Sequence, residues 1–130
     1  RQSFGRRLCI ADFFADEREG FDVLPLQIVT MGMAAASYAA ELFSSGEYAD
    51  YLYFHGLAVE SAEGLAELMH KRIRAELGYA GEDSPDRRRF FQQGYRGTRF
   101  SPGYPACPEL ESQKQIFALL KPDEIGMELS

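Results

Sequence analysis

The residue pattern predicts an α+β domain. Two apolar stretches, residues 8–14 and 23–31, read as strands, and Met127, Glu128 and Leu129 read as the start of a further one. Two helical runs, residues 33–43 and 50–77, lie together between these stretches instead of alternating with them. Helices grouped in this way fit α+β better than a parallel α/β sheet.

The first element, residues 8–14 (Leu-Cys-Ile-Ala-Asp-Phe-Phe), is apolar except for Asp12. Periodicity alone cannot separate a buried strand from a strand that leads into a helix. A charged turn follows at residues 16–20. Residues 23–31 are rich in Val, Ile and Leu, although Pro25 lacks the N–H that a central strand would use. The Ala-rich run 33–43 is helical and is ended by Ser44, Ser45 and Gly46.

The run 50–77 is the longest predicted helix, with Gly78 as its stop. Leu57, Ser61, Leu65, Leu68, Met69 and Ile73 recur mostly at spacings of three and four and define one buried stripe. Glu60, Glu63, Glu67, Lys71 and Arg74 are expected on the solvated side, with Glu67 and Lys71 spaced for a favourable pair. His55 and His70 are expected to be packed, hydrogen-bonded histidines. Ser84-Pro85-Asp86 reads as a cap with Pro at the first helical position, opening a short helix over 85–93. Residues 94–108, with Gly94, Gly97, Gly103, Pro102, Pro105 and Pro108, form a loop of fixed shape. A last helix starts at Pro108 or Glu109, turns Ile116, Leu119 and Leu120 inward and ends before Pro122.

Composition narrows the function classes. The chain has 130 residues, enough for one core, and is 45% hydrophobic and 26% charged, as expected of a globular domain. A net charge of −6 is the wrong sign for a general nucleic-acid binder. No apolar run approaches the roughly 20 residues of a membrane helix, and the opening Arg1-Gln2-Ser3 is not a secretory signal. Cys9 and Cys107 are read as free thiols of a cytoplasmic protein, with a single disulfide left open. Two Cys and two His without ligand spacing argue against a structural zinc site. The absence of an initiator Met suggests a fragment or a processed chain.

Chemistry concentrates in the run 99–109, Arg-Phe-Ser-Pro-Gly-Tyr-Pro-Ala-Cys-Pro-Glu. Its prolines fix φ, and Gly103 permits backbone that other residues avoid and lets a ligand come close. A loop with so little freedom loses less of it on binding. Arg99 at its mouth suits a bidentate grip on a carboxylate, and Tyr104 offers a ring face and a hydroxyl. On physical grounds alone, the plainer reading is a stiff connector with Arg99 solvated and Tyr104 packed. Asp12 is then a structural hydrogen-bonder, Glu63 a solvated helix residue, and the Arg87-Arg88-Arg89 run a solvated face or a docking patch for an acidic partner.

The run Arg99-x-x-x-Gly-Tyr-Pro-Ala-Cys-Pro-Glu109 resembles the S-adenosylmethionine (AdoMet) loop of the activation domain of cobalamin-dependent methionine synthases. Residues 8–13 are similar to that family's Leu-Ala-Asp-Phe segment. Residues 57–74, with Ala62-Glu63-x-x-Ala66-Glu67-x-x-His70-x-Arg72, are similar to its central helix, and the closing Gly-Met-Glu-Leu-Ser also fits.

The resemblance implies long helices packed with an antiparallel β-sheet, and residues 1–130 as part of a single AdoMet-binding activation domain. Because the family's domain is longer, the chain is read as an incomplete fragment, inactive when isolated. The implied function is reductive methylation of inactive cob(II)alamin to methylcobalamin in methionine biosynthesis. AdoMet is the methyl donor, and cobalamin is bound mainly by another domain of the same enzyme. Flavodoxin or a related flavoprotein is the implied electron donor.

By the same resemblance Arg99 binds the AdoMet carboxylate and Asp12 also contacts AdoMet. Glu63 joins them, with Gly103, Tyr104 and Ala106 bordering the ligand. No residue of this chain is assigned a catalytic role. A free-standing cobalamin-protein reactivase, or a non-catalytic interaction domain on the same scaffold, would carry the same motifs. An upstream Asp-x-His-x-x-Gly segment would favour the synthase.

Overall fold

A computed structural model describes Gly5, residues 7–90 and residues 92–129; for Arg87 and Phe90 it describes the backbone only. The helices are α1 (Gly32–Ser44), α2 (Tyr48–Glu76), α3 (Arg87–Phe90) and α4 (Ser112–Leu120). Short 3-10 turns lie at Ile10–Phe13, Ala80–Glu82 and Pro122–Ile125. The chain divides into two compact units, one formed by Arg1–Leu26 with Tyr79–Leu119, the other by Gln27–Gly78 with Leu120–Ser130.

The expected α+β architecture is not found. Among the described residues there is no strand and no sheet, only an isolated antiparallel bridge between Tyr104 and Cys107. The first two expected strands fail for local reasons. Within residues 8–14, the Asp12 carboxylate accepts the Cys9 N–H at 2.7 Å and the Asp12 N–H donates to the Cys9 carbonyl at 3.1 Å. That closes a tight turn in place of an extended run. Residues 23–31 run without a ladder partner. Gln27 donates its side-chain amide to the Ala66 carbonyl on α2 at 3.3 Å, and Thr30 Oγ1 accepts the Gly32 N–H at 2.9 Å in a local turn before α1. Met127 to Leu129 are likewise irregular.

In the second unit, α1 and α2 form a helical hairpin. Gly46, at φ +83°, makes the reversal, and the Glu47 N–H closes onto the Leu42 carbonyl at 3.0 Å. Leu42 and Ala66 are the buried apolar residues of the helices. Ring contacts flank them. Tyr38 of α1 meets Phe54 of α2 edge-on at 4.9 Å, and Phe43 meets Tyr51 at 5.2 Å. Gly78, at φ +85°, follows the end of α2 as expected.

The buried side of α2 is rotated away from the predicted stripe. Leu57 and Leu68 are exposed, whereas Ser61, Met69 and Ile73 are half-buried and Ala66 is buried. Arg74, expected in solvent, is the most buried of these side chains, with 2% of its surface exposed. Its Nη1 lies 2.8 Å from His70 Nδ1, one turn back. The imidazole of His70 thus meets the head of the buried arginine side chain. His55 is exposed and stacks on Tyr51.

In the first unit the helices are short. α3 begins at Arg87, two residues later than expected, because Asp86 Oδ1 accepts the Arg88 N–H at 2.9 Å. α4 is preceded by single turns from Glu109, Leu110 and Glu111. Leu119, expected inward, is 69% exposed, while Ile116 is half-buried.

Candidate functional site

The loop 99–109 is held by its own backbone. The Gly103 N–H donates to the Cys107 carbonyl at 2.8 Å, and the Cys107 N–H donates to the Tyr104 carbonyl at 2.9 Å. Gly103 sits at φ +91°, and a Cβ there would stand 2.9 Å from Leu110 Cδ2. The position therefore favours glycine for its dihedral, while the end of the Leu110 side chain would only have to shift. Tyr104, at the tip, is 66% exposed. Arg99 and Ala106 are half-buried.

The 3-10 turn Ile10–Phe13 is attached to this loop at two points. The Ile10 N–H donates to the Ala106 carbonyl at 2.9 Å, and the Phe13 and Phe100 rings lie 4.8 Å apart. Asp12, exposed, is carried on that turn. The fold therefore brings Asp12, Arg99, Gly103, Tyr104 and Ala106 into one unit from sequence positions nearly ninety residues apart. Glu63 is an exposed residue of α2 and belongs to the other unit.

Sequence reasoning missed what anchors the start of the loop. The Arg96 guanidinium lies 4.1 Å from the centre of the Tyr79 ring and 3.1 Å from a Glu82 oxygen. The hydrogen bond that Arg96 donates to Glu82, helped by Tyr79 and by the charge of the same carboxylate, raises the Arg96 pKa above the usual arginine value. Nearby, the Ser84 N–H donates to the Gly94 carbonyl at 2.8 Å. Glu82 and Arg96 are fourteen residues apart, so no helical or strand periodicity could have paired them. The described residues contain no cluster able to hold a metal ion, and no helix among them is long and apolar enough to cross a membrane.

Residues 1–130 match the family model described as the vitamin B12 dependent methionine synthase, activation domain. The chain belongs to that family. It is also 50% identical to a methionine synthase of Mycobacterium tuberculosis (strain ATCC 25618 / H37Rv), over all of this chain and 12% of that protein. A methionine synthase of Mycobacterium leprae (strain TN) is 48% identical over the same shares. The chain thus spans about an eighth of the length of these relatives. The motif-based resemblance in the sequence agrees with the family match over the whole chain. The helical structure of this activation domain corrects the sheet that the resemblance had implied.

Proposed function

We propose that this activation domain binds AdoMet and presents it to a cobalamin held by another domain of a methionine synthase, so that inactive cofactor is reductively methylated. The observation that carries the reading is the loop 99–109. It is closed by two short backbone hydrogen bonds and tied to the Asp12 turn through Ile10 and Ala106.

The residues present suit such a ligand. AdoMet carries a carboxylate, an ammonium group and an aromatic base. Arg99 supplies a planar guanidinium for the carboxylate, and Asp12 supplies a carboxylate for a cationic or hydroxyl group. The exposed Tyr104 face can cover an apolar part of the ligand. Gly103 keeps the turn open to close approach. Gly103 and Ala106 complete the binding set proposed within this unit.

When bound, AdoMet supplies an electrophilic methyl group on sulfonium sulfur, and cobalamin supplies the metal that accepts it. The work of this chain is positioning. Arg99 and Asp12 fix the amino-acid end of the donor, and the stiff loop limits the motion that remains. No side chain here needs to move a proton for methyl transfer. Flavodoxin or a related flavoprotein is the proposed source of the electron, and the cobalamin-binding domain of the same enzyme is the proposed partner surface.

Calorimetric titration of AdoMet into the intact protein tests the reading. Arg99→Ala should weaken binding by about 10- to 150-fold, the loss expected for a charge-assisted bidentate contact of roughly 1.5–3 kcal/mol. Affinity equal to wild type would remove Arg99 from the site. Asp12→Asn separates two roles, because the amide oxygen can still accept the Cys9 N–H. A weakened titration with the turn intact would place the charge of Asp12 on the ligand.

A further inference from the structure

We infer that Cys9 and Cys107 form a reversible intramolecular disulfide that clasps the loop 99–109 to the Asp12 turn under oxidising conditions. The inference stands on the placement of the two thiols and does not depend on AdoMet being the ligand.

The two cysteines flank a single inter-segment hydrogen bond. The Ile10 N–H, in the peptide group that follows Cys9, donates to the Ala106 carbonyl, in the peptide group that precedes Cys107, at 2.9 Å. Covalent geometry across two such peptide groups holds the Cα atoms of Cys9 and Cys107 within about 8 Å. A disulfide needs roughly 4.4–6.8 Å, so little backbone movement separates the thiol pair from a bonded one. Both are free thiols in this structure, Cys9 exposed and Cys107 half-buried.

Their backbones are also fixed on either side. Cys9 gives its N–H to the Asp12 carboxylate at 2.7 Å and its carbonyl to the Asp12 N–H at 3.1 Å. Cys107 gives its N–H to Tyr104 and its carbonyl to Gly103, at 2.9 and 2.8 Å. Neither backbone has to be ordered before the sulfurs meet. The chain thus brings together cysteines 98 positions apart in sequence at the backbone hydrogen bond between the 3-10 turn and the loop.

The chemistry balances with a peroxide or a low-molecular-weight disulfide as oxidant. With hydrogen peroxide, the exposed Cys9 thiolate attacks oxygen, the O–O bond breaks, and Cys9 becomes a sulfenic acid as hydroxide leaves and is protonated to water. The Cys107 thiolate then attacks the Cys9 sulfur and the S–O bond breaks. The departing hydroxide is protonated to a second water, so two thiols and one peroxide give one disulfide and two waters. With oxidised glutathione, Cys9 forms a mixed disulfide that Cys107 resolves, releasing two glutathione thiols in all.

The test is peptide mapping of the intact protein after exposure to hydrogen peroxide or to oxidised glutathione, with remaining thiols alkylated before digestion. The expected result is a Cys9–Cys107 linked peptide. It should come from monomeric protein on a non-reducing gel, disappear on treatment with a dithiol, and be absent from Cys9→Ser and Cys107→Ser. Separate alkylation of both cysteines would overturn the inference, and so would individual glutathione or sulfinic adducts without a linked peptide, or linkage only between molecules.

Discussion

The two units hold their shape by different means. In the hairpin of α1 and α2, the structure comes from side chains meeting across a helix pair, with Leu42, Ala66 and the ring contacts of Tyr38, Phe43, Tyr51 and Phe54 at its centre. In the unit that carries the loop, no described hydrophobic residue is fully buried. The shape there comes from backbone hydrogen bonds across turns, from fixed dihedrals at Gly103 and the prolines, and from the Arg96 anchor. The difference teaches that a small, stiff recognition loop can be specified by local chemistry, while a long helix needs a neighbour before its faces acquire meaning. It also predicts that damage in the two regions will look different.

The largest effect should follow from Arg74→Ala. The change removes a stem buried to 98% and leaves the His70 Nδ1 acceptor without its donor, since a guanidinium has no lone pair and must donate in that contact. A lost buried hydrogen bond together with lost packing of this size costs about 3 kcal/mol. Local opening of the hairpin should then be about 150-fold more frequent, read as faster amide hydrogen exchange along α2. The amides of Gly103 and Cys107 should keep their wild-type rates. Unchanged exchange in α2 would mean that the buried arginine is incidental to the hairpin.

Gly103→Ala should act in the opposite place and more weakly. A Cβ at φ +91° costs about 1–2 kcal/mol. The approach to Leu110 adds little, because the end of a leucine side chain can move. Exchange at the Cys107 amide should rise by roughly tenfold, with the α2 amides unaffected. AdoMet affinity should fall with it if the loop is the binding element. A variant that binds as wild type while its loop amides exchange faster would separate the shape of the turn from the proposed function.

The same contrast explains how much of the molecule was legible in its sequence. The boundaries of α1 and α2 and the stop at Gly78 were readable, because caps, glycines and alanine-rich runs act within a few residues. The loop was readable for the same reason. The strands were misread because residues 8–14 are largely apolar and residues 23–31 are rich in Val, Ile and Leu, and a strand exists only where a second one accepts its hydrogen bonds. Asp12 and Gln27 spend their polar groups on a turn and on α2, and no such partner is present among the described residues. The burial of Arg74 was missed because a charged helix residue is normally solvated. His70 four residues earlier was the available signal. Asp12 could be tied to the loop through the family resemblance, but no periodicity reveals a hydrogen bond between Ile10 and Ala106.

The smallest expected effect belongs to pH and again separates the two kinds of region. Asp22 closes the charged turn by accepting the Ala15 N–H at 2.9 Å and the Val23 N–H at 2.8 Å, one on each carboxylate oxygen. These two backbone donors, Ala15 first, hold the Asp22 pKa below its ordinary value of about 3.9. A carboxyl with a lowered folded pKa stabilises the turn fully above its unfolded pKa. That contribution is lost as pH falls through the lower, folded value. On acidification, the Ala15 and Val23 amide resonances should therefore shift together, with a midpoint below about 3.9. The α2 amide of Ala66 should show no step at that pH. Asp22→Asn should abolish the shared titration and leave one of the two N–H groups without its acceptor, since an amide offers a single oxygen. Independent midpoints for the two amides, or a midpoint above the ordinary aspartate value, would show that this turn is not closed through Asp22.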